Sequence, residues 1–87
     1  MTSSEERFIS VLQELSDLYH KKNHDYGDSF RKSMMEFGFV SCVIRINDKT
    51  ERLKSLVKNG IGEVKDETIR DTLLDLANYA IMSAMEL

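Results

Sequence analysis

The 87-residue chain contains no proline and only four glycines. Proline removes a backbone donor and clashes with the preceding turn, so its absence lets helices run on with little to stop them. One hydrophobic core is all that a chain of this length can build, and residues 1–87 are read as a single domain. Such a domain buries only about two-thirds of its unfolded surface, which makes a homo-oligomer the expected state. Disorder is excluded by an ordinary apolar content of 41% with a net charge of only −3. The lone Cys42 cannot form an internal disulfide, and Val40-Ser41-Cys42-Val43 reads as small apolar packing. The opening Met1-Thr2-Ser3-Ser4-Glu5-Glu6 is neither basic nor apolar, so no signal peptide is expected. No segment approaches the roughly 20 apolar residues that span a bilayer. A cytoplasmic protein without membrane association is therefore expected. An isoelectric point near 5.3 argues against direct binding of duplex DNA, which needs a clustered basic face.

Periodicity then divides the chain into helices. Thr2/Glu5 and Ser3/Glu6 both have capping-box spacing, which predicts a helix start at about residue 3. Phe8, Val11, Leu12, Leu15, Leu18 and Tyr19 follow at three- and four-residue intervals, on one face. Basic residues in His20-Lys21-Lys22-Asn23-His24 suit the negative end of that helix. After a loop, Asp28 or Ser29 is placed to cap a second stretch from about Phe30 to Val57. Its apolar face is marked by Phe39, Val43, Ile46, Leu53 and Val57, and Gly38 kinks or divides it. Lys58-Asn59-Gly60-Ile61-Gly62 is a stop signal, and Asp66 is the expected cap of the last helix. There, Ile69, Leu73, Leu76, Ala80 and Ala84 form an apolar stripe that Leu74, Ala77, Ile81 and Met85 widen. The expected fold is an all-α bundle of three helices, or four where Gly38 makes a true turn.

Three polar clusters exceed what solubility requires. The loop Lys22-Asn23-His24-Asp25-Tyr26-Gly27-Asp28-Ser29 gathers a lysine, two carboxylates, a phenol and a hydroxyl around a turn-forming glycine. An ordinary helix connection with an Asp or Ser cap would have the same composition. In the middle helix Arg45, Asp48 and Arg52 share a face, with Lys49 beside them. Asp48 can pair with either arginine, leaving guanidinium donors for a phosphate or a carboxylate, and a solvated ion-paired surface is the competing reading. On the last helix Glu67, Asp71, Asp75 and Asn78 are spaced four, four and three. Like charges one turn apart repel, so this stripe calls for Mg²⁺, for an arginine such as Arg45 or Arg52, or for water. His20 and His24 lack the glutamate of a zincin, and Met34, Met35, Met82 and Met85 read as core or interface fillers.

Taken in order, Lys22-x-x-Asp25-Tyr26-Gly27-Asp28-Ser29-Phe30, Arg45-x-x-Asp48-Lys49-x-x-Arg52-Leu53 and Asp66-Glu67-x-x-x-Asp71-Thr72-Leu73-x-Asp75-Leu76-Ala77-Asn78-Tyr79-Ala80 closely resemble the nucleotide-modification-associated family of small phage and prophage proteins. The resemblance covers nearly everything after the first helix. It implies a place in phage nucleotide metabolism or DNA modification. The chain is more distantly similar to the all-α nucleoside triphosphate pyrophosphohydrolases of the MazG and dimeric dUTPase type, which bind Mg²⁺ through helical carboxylates. Of their glutamate-rich segment Met35-Glu36-Phe37-Gly38-Phe39 keeps Glu36 and Gly38, and Thr68 stands at a glutamate position ahead of Asp71.

These resemblances imply a nucleotide-handling protein. Glu67, Asp71 and Asp75 would hold Mg²⁺, Arg45, Lys49 and Arg52 would meet phosphates, and Asp25-Tyr26-Gly27-Asp28 would meet base or sugar. Lys22, Ser29 and Asn78 complete the ligand set. The implied reaction is attack of a metal-activated water on a phosphoanhydride. The alternative is a non-catalytic helical oligomerisation module whose Asp and Arg rows are structural ion pairs.

Overall fold

Helix α1 (Ser4–Lys22) starts on the second of the two capping frames: Ser3 Oγ accepts the Glu6 N–H at 3.1 Å, and its hydroxyl donates to Glu6 Oε1 at 3.2 Å. The computed structural model describes residues 3–23, 28–59 and 63–87, with the backbone alone for 63–67. Glu5 and Glu6 in the first turn of α1 and His20, Lys21 and Lys22 in its last turn both complement the helix dipole.

Gly38 makes a true turn. It separates α2 (Asp28–Phe37) from α3 (Val40–Lys58) and has φ +80°, a left-handed conformation that side chains resist. Its N–H donates to the Met34 carbonyl at 2.8 Å, closing α2, and its own carbonyl accepts the Ser41 N–H at 3.1 Å. A Cβ here would meet nothing within 4 Å, so φ and not space requires the glycine. The Ser41 hydroxyl donates to the Ser33 carbonyl at 3.0 Å and ties the two helices across the corner.

Helix α4 (Glu63–Ala84) begins three residues before the expected Asp66 cap. No breaker lies between Gly62 and Asp66, so the helix takes in Glu63, Val64 and Lys65, and Asp66 falls within it. Helices α3 and α4 form an antiparallel pair: Lys49 meets Asp75 and, one turn on in α3, Arg52 meets Thr72 one turn back in α4. Helix α2 packs on α3, and α1 on α4. The fold is all-α, with no strand among the described residues. No helix among them is long and apolar enough to cross a membrane.

Phe30, Met34, Cys42 and Met82 form the buried core, flanked by Tyr19, Ile46 and Tyr79. The Phe30 and Tyr79 rings meet edge to face with centroids 5.4 Å apart. Cys42 is the small apolar filler expected, and Met34 and Met82 fill the core, whereas Met35 and Met85 are exposed. The inward face of α4 departs from the predicted stripe: Leu74 and Met82 are buried with Thr72, Asn78 and Ser83, while Leu73 is exposed. The two hydroxyls are satisfied within the helix, Thr72 by the Thr68 carbonyl and Ser83 by the Tyr79 carbonyl. Helical back-bonding lets a hydroxyl face a packed neighbour without an unmet donor, which a reading of apolar spacing alone overlooks.

Candidate functional site

Three elements deliver charged side chains to one place. Lys22 ends α1, Lys49 lies mid-way along α3, and Asp75 projects from α4. Lys49 Nζ stands 3.3 Å from Asp75 Oδ2 and Lys22 Nζ 3.6 Å from Asp75 Oδ1, so each carboxylate oxygen faces its own ammonium. All three side chains keep partial access to water, between 27% and 41%. Beside them opens a cleft of about 350 Å³ lined by Leu18, Lys22, Asp71, Leu74 and Asp75. One turn along the α3–α4 seam, Arg52 Nε donates to Thr72 Oγ1 at 3.3 Å. A polar row thus runs from Lys22 through Asp75 and Lys49 to Arg52.

This arrangement answers the question posed by the acidic stripe. The cations that meet Asp75 are Lys22 and Lys49, which lie on other helices, and not Arg45 or Arg52. Asp71 is exposed at the cleft. The side chain of Glu67 lies outside the described residues, as do Asp25, Tyr26, Gly27 and His24. Arg45 and Asp48 are exposed on α3, and the ion pairs that their spacing allows do not form; Arg52 turns instead to Thr72. Asp28 and Ser29 are exposed at the start of α2; Asp28 borders a separate hollow with Tyr19, Asn23 and Arg31. Asn78, only 3% exposed, sits away from the charged row; its Nδ2 donates to the Leu15 carbonyl at 3.4 Å and joins α4 to α1.

A bidentate ion pair between α1 and α4 had no sequence signal. Arg70 grips Glu14 through both guanidinium nitrogens at 2.7 Å. Its hydrogen bonds hold the Glu14 carboxyl below the usual glutamate range, and the same bonds raise Arg70. The partners lie 56 residues apart on different helices, beyond the reach of any periodicity.

Among the described residues no three His, Cys, Asp or Glu side chains gather closely enough to hold a metal ion. The cleft itself sets Lys22 against Asp71 and Asp75, and Lys49 and Arg52 continue the charged row beyond it along the α3–α4 seam.

A small all-α protein, of four helices among the described residues, with a charged row where three of them meet is the class that fold and site define. Residues 22–87 match the family described as nucleotide modification associated domain 1, and the chain belongs to that family. The match begins at Lys22, the first residue of the charged row, and takes in α2, α3 and α4 while leaving the rest of α1 outside. No curated protein and no solved structure matches the chain significantly.

Proposed function

We propose that the chain handles a nucleotide in nucleotide metabolism or DNA modification, binding its phosphates at the charged row where α1, α3 and α4 meet, beside the α1–α4 cleft. The observation that carries this reading is the convergence of two lysines from separate helices on a single carboxylate that stays open to water. Asp75 fixes the two ammonium groups in position, and a phosphate carrying more charge than one carboxylate competes for them. Arg52 extends the row toward a second phosphate, and membership of a nucleotide-modification family favours a nucleotide as the source.

The donor set fits magnesium poorly as a resident ion. Asp75 already faces two ammonium groups, and a divalent cation would have to displace both. Magnesium therefore enters the proposal only as the counter-ion that a triphosphate brings with it. Hydrolysis of the pyrophosphohydrolase kind is the enzymatic form of the proposal, and pyrophosphate release is its direct readout.

A second reading is favoured by the completeness of the pairs: Asp75 has both lysines, and Arg52 has Thr72. In that reading the row only fixes helix register, and a partner supplies any chemistry. Calorimetric titration with deoxynucleoside mono- and triphosphates, with and without Mg²⁺, separates the two. The cleft predicts binding by the wild type and a loss of about fivefold or more, the equivalent of 1 kcal/mol, in Lys22→Ala and Lys49→Ala. Absence of binding, or unchanged affinity in both folded variants, rejects the cleft and leaves the structural reading.

A further inference from the structure

Helix α1 carries one apolar stripe, and α4 covers only half of it. Leu15 is buried and Leu18 and Tyr19 are half-buried, yet Phe8 is 66% and Leu12 45% exposed. Phe8 and Leu15 lie seven residues apart, two helical turns, and so point the same way. The N-terminal half of the stripe thus overhangs the edge of its own subunit. Next to it, Leu12, Leu15, Ile81 and Met85 line an open apolar groove of about 230 Å³ between α1 and α4.

The dimensions of the whole chain show the same shortfall of cover. Its accessible surface is 6669 Å², against about 5,300 Å² for a compact monomer of this mass. Its radius of gyration is 14.4 Å, against about 12 Å for a globular chain of this length. The excess of roughly 1,400 Å² is more than the ~800 Å² each partner contributes to a stable interface of ordinary size. Charge points to a second copy as the occupant. Helix α1 is acidic at one end through Glu5 and Glu6 and basic at the other through His20, Lys21 and Lys22. Two copies of α1 running antiparallel set each acidic end beside a basic one.

We propose that the chain forms a two-fold symmetric homodimer in which the overhanging half of α1 lies in the α1–α4 groove of the other copy, Phe8 meeting the Ile81 and Met85 side of that groove. The contact is isologous, so each overhang and each groove is filled once and assembly stops at two. A second exposed apolar patch, formed by Phe37, Phe39, Val40, Val43 and Ile44 at the α2–α3 corner, serves as the comparison.

Sedimentation equilibrium of the full chain over the micromolar range tests the proposal. The expected mass is twice 10.1 kDa for the wild type and for Phe39→Glu. Phe8→Glu and Met85→Lys each give the monomer with unchanged helical circular dichroism, since both side chains are mostly exposed. Mixing these two variants restores a dimer, because one half of the contact becomes Glu against Lys and the other half stays native. A monomeric wild type, dimeric single variants, a mixture that stays monomeric, or dissociation by Phe39→Glu overturns the proposal. Should Met85→Lys lose helical signal, the masses of the wild type, Phe8→Glu and Phe39→Glu decide.

Discussion

Replacing Asp75 with Asn tests the charged row most directly, because it predicts opposite signs for stability and for binding. The carboxylate faces ammonium groups at 3.3 and 3.6 Å, and the three side chains are between 27% and 41% exposed. At that exposure each pair contributes at most about 1 kcal/mol. The amide still accepts a hydrogen bond, but Lys22 and Lys49 then lack a counter-charge. A net loss of about 1 kcal/mol is expected, which lowers Tm by about 4–8 °C in a domain of this size. High salt should shrink the difference, since partly exposed charges are screened over about 3 Å at 1 M. Phosphate affinity should rise, by about fivefold for each 1 kcal/mol of repulsion removed. Thermal melts at low and high salt, with phosphate titration of the same variant, give both quantities. A Tm within error of wild type at low salt together with unchanged or weaker phosphate binding would refute the reasoning, because the three groups would then not be coupled.

Gly38→Ala forces a side chain into the left-handed region at φ +80° although space is available, and about 1–2 kcal/mol of stability is expected to go, read by urea denaturation at unchanged m-value. Phe30→Ala removes the ring that meets Tyr79 from the centre of the core, at an expected cost of about 3–5 kcal/mol, and calorimetry should find the variant at or beyond its unfolding limit. Glu14→Gln tests the α1–α4 clamp through pH. Hydrogen bonds from Arg70 lower the folded-state value of Glu14, so the contribution of the carboxylate is fully present above the unfolded-state value, near 4.3 in model peptides, and is lost as pH falls through the lower folded value. The Tm gap between wild type and Glu14→Gln is therefore expected at neutral pH and should close in acid. A gap that persists unchanged at low pH would show that the charge of Glu14 is not what holds Arg70.

The fold class was legible because helical signals are local. Ser3/Glu6 spacing, the missing prolines and Gly38 each act within a turn of the chain, and each is realised where it stands. Asp66 was misplaced as a cap because nothing before it opposes helix, and capping preference is outweighed where neighbours also favour the helix. The site was legible in part. Lys22, Lys49 and Asp75 were all candidates, from the loop, from beside the arginine face and from the acidic stripe, but such local patterns cannot say which helices meet. That is why Arg45 and Arg52 stood in for the lysines that actually face Asp75. Asn78 shares its stripe with Asp75 yet points at the Leu15 carbonyl of α1, a contact between residues 63 apart in sequence that only helix packing decides. Glu14 and Arg70 illustrate the limit: neither has a patterned neighbour, and only tertiary structure joins them.

The way α1 is attached also sets an order of folding. The α2–α3 corner and the α3–α4 pair are built from neighbours in sequence, whereas α1 is held by Arg70, Asp75 and Asn78, all more than 50 residues downstream. Contacts of low sequence separation close first, so α2, α3 and α4 assemble before α1 can dock. Synthesis reverses that sequence. Helix α1 leaves the ribosome first, and at roughly 5–20 residues per second its partner residues follow only several seconds later. During that interval Leu15 lacks the α4 residues against which it is buried. The helix made first is the last to find its place.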